Sequence, residues 1–387
     1  MNILFVSTSS NPFDGTGWGA TQRTNLLFEA CAQVGKVDVV AFVDGVVSTK
    51  ENCRVIYSGS DERRRVKEGR FLKLLRMFAP WNPYSVFPKD EFRFSVVKEA
   101  CRRTNYDYIV CRYIPSAMEC GLLEFANRLV IDIDDHPLDI EKTLSRTSRT
   151  WRNRLYHRYR SMVIKKALNR IQDACHFTFY SNPNQAVFAN SSYLPNIPFY
   201  ECEMEPVDFQ RTGNRILFVG NMSYGPNQQG IEKFISEVMP LIQEQVPDVK
   251  LHLVGGCNNT AFIDRIQCLN NVEYMGVVDN LVTEYNEAKV VVAPIYGGAG
   301  TNIKVLESMR MKRPCVTTIF GVRGFMDFFQ DQRHLSIASD ANDYAGKVES
   351  LLLDEQLNHG MAELAYEVVC SHFSRAVFFK TVRKVLR

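Results

Sequence analysis

No two of the eleven cysteines form a CxxC pair, and none joins a histidine cluster at metal-ligand spacing. The closest pairs, Cys101 with Cys111 and Cys111 with Cys120, sit ten and nine residues apart. Disulfide frameworks and zinc sites need tighter patterns, so scattered thiols point to a reducing, cytoplasmic setting and exclude a structural zinc site. Long apolar runs are missing too; none approaches the roughly twenty residues that a bilayer span requires. "MNILFVSTSS" has no basic n-region and reads as a first strand, not a signal peptide. Short-period repeats and low-complexity tracts are absent. A strong net charge is absent as well, at +3, but this conceals an asymmetry. Residues 1–195 hold 28 Lys/Arg against 20 Asp/Glu, and residues 196–387 hold 18 against 23. A basic half beside an acidic half suggests a surface that meets something anionic.

What is present is strand–helix alternation. Apolar, β-branched runs fall at 3–7, 37–43, 54–57, 108–111, 129–133 and 177–180, with helical patterns such as 21–33 and 90–103 between them. Strands of a parallel sheet, buried on both faces, read this way. A stretch rich in proline and acid, "PNIPFYECEMEPVDFQRTG", interrupts the pattern at 195–213 and reads as a linker. The alternation then restarts at 215–219, 251–254, 272–274, 290–294, 315–318 and 335–338. A chain of 387 residues is long enough for two cores. The expected architecture is α/β, two doubly wound domains, over 1–200 and 201–373.

The sharpest chemical signal is "VVVAPIYGGAGTNIKVLESMRMKRPCVTT" at 290–318. A strand ends in a glycine loop, and a helix begins. Open α/β sheets bind ligands beyond the carboxyl ends of their strands. Glycines let the backbone approach a ligand, and a helix N-terminus attracts an anion such as a phosphate. Helical spacing places Lys304, Glu307 and Ser308 on one side, with Val305, Leu306 and Met309 on the core side. Lys304 suits a phosphate, and Glu307 suits hydroxyl donors such as those of a ribose. Together they form the layout for a nucleoside diphosphate. The plainer alternative is a strand–loop–helix turn carrying a Lys–Glu surface pair.

These residues resemble the donor-site signature of the GT-B glycosyltransferases, in particular the family 4 type that builds bacterial polysaccharides. "RILFVGNMSYGPNQQGIEKFISEVMPLIQEQVPDVKLHLVGG" (215–256), "VEYMGVVDNLVTEYNEAKVVVAPI" (272–295) and "TTIFGVRGF" (317–325) resemble further parts of that nucleotide-binding domain. "YLPNIPF" (193–199) and "VIDIDDHPLDI" (130–140) resemble segments of its first domain. The resemblance implies two Rossmann-like domains facing across a cleft. The first would hold a glycan acceptor and the second a nucleotide-sugar donor. A last helix from about 374 would pack back on the first domain. It implies donor contacts at Gly220, Asn221, Val277, Gly297, Gly298, Gly300, Thr301, Asn302, Lys304 and Glu307, with Lys304 stabilising the leaving diphosphate. It also implies transfer that is retaining; with no metal cluster visible in the sequence, transfer independent of metal and without a cofactor is expected. Two departures stand out. The family's first glutamate, eight positions before Glu307, is Ala299 here, which leaves the anomeric outcome open. The basic residue that usually follows the first strand of the donor domain is missing from "GNMSYGPN".

The N-terminal half offers weaker signals. Gly15, Gly17 and Gly19 precede a helix with GxGxG spacing, and seven residues separate Gly15 from Ser7, which disfavours a dinucleotide fingerprint. The resemblance makes them a cleft loop, and the alternative is a surface loop. Asp134, Asp135 and His136 end a strand and are candidates for taking a proton from an acceptor hydroxyl. Capping is the alternative, with Asp139 the expected N-cap of the long helix. Arg112 and Tyr113 are acceptor-side candidates. Two basic stretches interleaved with aromatic residues, 63–81 and 145–170, suit the headgroups of anionic lipid or a solvated helix face. No recognised nucleic-acid module is present. The expected activity is sugar transfer to a hydroxyl of a glycan, lipid-linked, at the inner face of a membrane. A non-catalytic GT-B-like binding protein, which Ala299 keeps open, and a sugar-nucleotide epimerase are the alternatives.

Overall fold

The computed structural model describes residues 1–15, 19–48, 50–60, 83–134, 136–148, 150–200, 204–297 and 301–387, with the backbone alone for Thr143, Arg146 and Thr147. Gly17, Asp135, Gly298, Ala299, Gly300 and the basic stretch 63–81 lie outside the described residues. The chain divides into two compact units, Met1–Pro195 with Arg375–Arg387, and Asn196–Ser374.

The first unit is a seven-stranded sheet in the order β3-β2-β1-β4-β5-β6-β7. Its strands are β1 Asn2–Ser7, β2 Lys36–Ala41, β3 Cys53–Ser58, β4 Tyr108–Arg112, β5 Leu129–Ile133, β6 Phe177–Tyr180 and β7 Ser191–Tyr193, and every pairing is parallel. The helices are α1 Gly19–Ala32, α2 Pro83–Val86, α3 Glu91–Arg103, α4 Ile114–Glu119, α5 Pro137–Thr147, α6 Trp151–Ala174 and α14 Arg375–Val385. β5, "LVIDI", is buried at every residue, which explains its unbroken apolar character. α3 starts at Asp90, whose carboxylate accepts from the N–H groups of Phe92 and Arg93 and satisfies donors that the helix cannot pair internally. The expected long helix after β5 is two helices, and Asp139 caps neither. His136 caps α5 and Thr150 caps α6. Asp139 lies in the first turn of α5 and accepts from Gln185 Nε2 at 2.7 Å.

The second unit is a six-stranded sheet in the order β10-β9-β8-β11-β12-β13. The strands are β8 Arg215–Val219, β9 Lys250–Val254, β10 Val272–Gly276, β11 Val290–Ala293, β12 Cys315–Thr318 and β13 Ser336–Ala338, again all parallel. The helices are α7 Gly225–Lys233, α8 Met239–Gln245, α9 Thr260–Gln267, α10 Leu281–Asn286, α11 Ile303–Arg310, α12 Ala341–Leu353 and α13 Glu355–His372. A core from Ile216 and Phe218 through Phe234, Ile242, Leu251 and Val292 to Tyr344 and Leu352 packs helices onto the sheet. In both sheets the strand order reverses once, between β1 and β4 and between β8 and β11. A ligand site forms at such a reversal, beyond the strand ends.

Candidate functional site

At the reversal of the second sheet, β8 ends at Val219 and β11 at Ala293. Gly220 follows β8, and its N–H donates to Val254 O of β9 at 2.9 Å. Lys304, in the first turn of α11, reaches this point from the other side of the reversal. A Cβ on Gly220 would stand 3.0 Å from Lys304 Nζ and 3.2 Å from Asn227 Nδ2, so a side chain here would crowd the ammonium. Gly255, at φ +130, brings the end of β9 equally close: a Cβ there would lie 2.2 Å from Gly220 O. The sheet edge is thus bare backbone beside one cation.

Lys304 Nζ donates to Asn227 Oδ1 at 2.6 Å and lies 4.7 Å from the centre of the Phe218 ring. Asn227 is fixed in turn by donating through Nδ2 to Asn221 O at 2.8 Å. The ammonium therefore rests on a neutral amide and a ring face. Burial pulls it down from 10.5 to about 7, against smaller upward pulls from Cys315 and Glu307. Glu307 is 6% exposed, and its Oε1 has no hydrogen-bond partner. Burial pushes it up to about 7, while an N–H from Phe199 and the charge of Lys304 oppose that. A buried carboxylate and a half-buried, under-compensated ammonium a turn apart form a site that gains from polar ligand atoms.

The surface Lys–Glu pair is overturned. Glu307 and Ser308 are buried because α11 is covered on both sides. α13 packs along it, and the segment entering the unit lays Phe199 against Glu307. Thr301 and Asn302, just before α11, are anchored to their surroundings: Asn196 Nδ2 donates to Thr301 Oγ1, and Asn302 Nδ2 donates to Phe320 O at 3.2 Å. Gly297 is the last described residue before Thr301. Asn221 Oδ1 accepts from Ser223 N at 2.9 Å. Val277 stands just past β10, 74% exposed, after Gly276 at φ +67. Among the described residues, no group of three or more His, Cys, Asp or Glu stands where it could hold a metal ion.

The reversal of the first sheet is also charged, but it is closed. Arg23 of α1 makes a two-point contact with Asp132, Nε to Oδ2 at 2.8 Å and Nη2 to Oδ1 at 2.7 Å. Arg112 bonds Asp132 at 3.2 Å, Asp134 at 2.7 Å and Tyr113 Oη at 2.9 Å. Arg112 is 4% exposed, so its guanidinium serves the carboxylates and not an open acceptor surface. It also donates to Ala20 O and Thr24 Oγ1, fixing the start of α1 just beyond Gly19. Gly15 faces the Asn25 side chain. Tyr113 has φ 64, a rare conformation for a bulky residue. His136 Nδ1 accepts from Leu138 N at 3.3 Å. A backbone N–H only donates, so in the neutral ring the proton sits on Nε2. His136 can then donate to an acceptor oxygen, but it presents no free lone pair to it. Burial holds it below its ordinary value.

Arg23, Asp132, Asn227 and Asn196 were not among the sequence candidates. Arg23 and Asp132 lie 109 positions apart. The one available signal was an aspartate inside an apolar strand, since a buried charge needs a partner.

Residues 213–354 match the family described as glycosyl transferases group 1. Over 248 residues the chain is 25% identical to an uncharacterised 44.6 kDa protein in the cps region of Klebsiella pneumoniae, covering 59% of this chain and 62% of that one. Sucrose-phosphate synthase from Thermosynechococcus elongatus shares the fold at TM-score 0.70 with 17% identity, covering 100% of this chain and 98% of that one. Anabaena HepE, solved with UDP and glucose, does so at 0.66 with 15% identity, covering 99% and 98%. The chain has the two-domain GT-B fold of these structures, and residues 213–354 are similar to the group 1 glycosyl transferases, as the motifs of 215–325 imply.

Proposed function

We propose that the protein transfers a sugar from a nucleoside diphosphate sugar to a hydroxyl of a glycan, lipid-linked, in the assembly of a cell-surface polysaccharide. One observation carries this reading: Lys304 Nζ stands over Gly220 at the reversal of the second sheet, beside buried Glu307. A diphosphate at that edge gives Lys304 its missing counter-charge, and Glu307 Oε1 accepts from a ribose hydroxyl. As the glycosidic bond breaks, charge grows on the leaving diphosphate. Lys304 and the N–H groups opening α11 stabilise that growing charge more than the ground state, which lowers the barrier. On this reading the second unit holds the donor, the first holds the acceptor, and Asp134 takes the acceptor proton. Transfer retains configuration and uses no metal; the anomeric proton of the product and turnover in chelator test those two points.

Thermal denaturation with UDP, GDP, ADP, CMP and TDP tests the donor site. UDP comes first, because HepE was solved with it. A ligand that binds only the folded state raises the melting temperature. One nucleotide should raise it in the wild type and not in Lys304→Ala. No shift with any of them sinks the donor site. A shift without transfer to any acceptor, and without a changed sugar, favours the non-catalytic reading that Ala299 suggests.

A further inference from the structure

The two halves of α6 face different surroundings. In its second half Val163, Ile164, Ala167, Leu168 and Ile171 are buried in the first unit. In its first half Trp151, Leu155, Tyr159 and Met162 are exposed by 69%, 59%, 37% and 60%. Spacings of four, four and three residues stack these side chains along one face. That face is not the one turned inward. Helical periodicity sets Arg154, Arg158 and Lys165 along one margin of the stripe and Arg152, Lys166 and Arg170 along the other. All six are exposed. Residues 145–170 contain no acid. Glu141 of α5, packed against the first half of α6, is turned inward at 5% exposure. Arg160 Nε pairs with it there at 2.7 Å, and His157 Nδ1 lies at hydrogen-bond distance, 2.8 Å. That pairing pins α5 to α6 from within and leaves the outer face cationic and apolar as far as Arg170, with exposed Asp173 following at the C-terminal end of the helix.

We propose that this face of α6 docks flat on an anionic lipid bilayer. Trp151, Leu155, Tyr159 and Met162 enter the boundary between headgroups and acyl chains, and the flanking cations meet lipid phosphates. An apolar stripe with cations on both margins matches an interfacial helix in shape and charge. A second copy is disfavoured, because two such faces would set cation against cation. A nucleic acid is disfavoured, because Leu155 and Met162, central in the stripe, offer bases neither a π face nor a donor. The helix lies on the membrane and does not cross it: no described helix is long and apolar enough to span.

The full chain is sedimented with vesicles of phosphatidylcholine alone and with about one third phosphatidylglycerol added. Binding is expected to the anionic vesicles only, and it should weaken as salt rises. Leu155→Asn with Met162→Asn should lower it by about tenfold, and so should Arg154→Gln with Arg158→Gln. Both pairs are exposed, so the melting temperature should hold, and the same samples report the nucleotide shift. A lost nucleotide shift with vesicle binding intact would count against the donor site alone. Equal binding to neutral and anionic vesicles, no binding, or unchanged binding by both variants overturns the proposal. The last result would move the interaction elsewhere on the chain.

Discussion

The two strand-edge ion clusters are built on opposite plans. In the first unit two guanidiniums meet two carboxylates. Asp132 takes both arginines, and Asp134 takes the other arm of Arg112. Burial works against the charge on Arg23, but Asp132 and Asp134 outweigh it and hold the guanidinium above its ordinary value. In the second unit a single ammonium rests on a neutral amide, and burial wins, pulling Lys304 down to about 7 and pushing Glu307 up to about 7. A compensated network holds a shape, since removing either partner strands a buried charge. An under-compensated cation beside bare backbone gains most when an anion arrives. The first cluster is read as scaffold and the second as site.

The largest expected effect tests the scaffold. Asp132→Ala takes from Arg23 the carboxylate that it bonds at two points and leaves only Asp134 at 3.9 Å, and breaking such a buried pair costs about 3–5 kcal/mol. Urea unfolding should show the transition of the first unit moving to much lower denaturant. Arg23 also donates to the carbonyls of Leu194 at 3.1 Å and Pro195 at 3.0 Å, so the end of the first unit should loosen with it. A loss below about 1 kcal/mol, the level of an exposed pair, would mean that the two clusters do not differ as argued.

Lys304→Ala should do the reverse. Losing a donor that stabilises transition-state charge costs about 10²–10³ in turnover, and the nucleotide shift should vanish. Yet the free protein should melt no lower than wild type, because the substitution removes a half-buried, poorly compensated cation. If Lys304→Ala destabilises the free protein as strongly as Asp132→Ala, Lys304 is scaffold too.

The pH dependence sharpens the contrast. Lys304 falls from 10.5 to about 7 on folding, so between these values the unfolded chain binds more protons and stability rises with pH. Glu307 rises from 4.5 to about 7, so between these values the folded chain binds more protons and stability falls as pH rises. The pair thus contributes least near neutrality. A bound diphosphate restores the proton on Lys304, so its affinity should weaken above pH 7 by up to about tenfold per pH unit. Calorimetry in two buffers of different ionisation enthalpy should show proton uptake on binding. A flat affinity from about pH 7 to 9 would mean Lys304 is already charged without ligand.

How much of this was legible depends on range. β5 and β6 read off cleanly because strands buried on both faces are continuous apolar runs. Lys304 and Glu307 read off because a strand, a glycine loop and a helix are local. β7, "SSY", was missed: three polar residues, half-buried at a sheet edge, carry no such run. The burial of Glu307 and Ser308 was missed because periodicity assigns one buried face to a helix. It cannot see that α13 and Phe199 cover the other. Arg23 with Asp132, and Lys304 with Asn227, are pairings over 109 and 77 positions that no spacing rule contains.

The smallest effect decides what the edge of the first unit does besides holding shape. His136 was a candidate base, but its Nδ1 caps α5 and leaves a protonated Nε2 outward. Asparagine supplies a cap acceptor as good as any. His136→Asn should therefore melt within about a degree of wild type and keep turnover within a few-fold, whereas His136→Ala should lose about 1 kcal/mol with turnover equally intact. A base would behave otherwise: either substitution would cost about 10²–10⁴ in turnover, and asparagine would not rescue it. If asparagine restores stability but not turnover, His136 takes the proton after all, and the first cluster is more than scaffold. If it restores both, proton transfer falls to Asp134, whose Oδ2 is held by Arg112 while 13% of the side chain stays exposed.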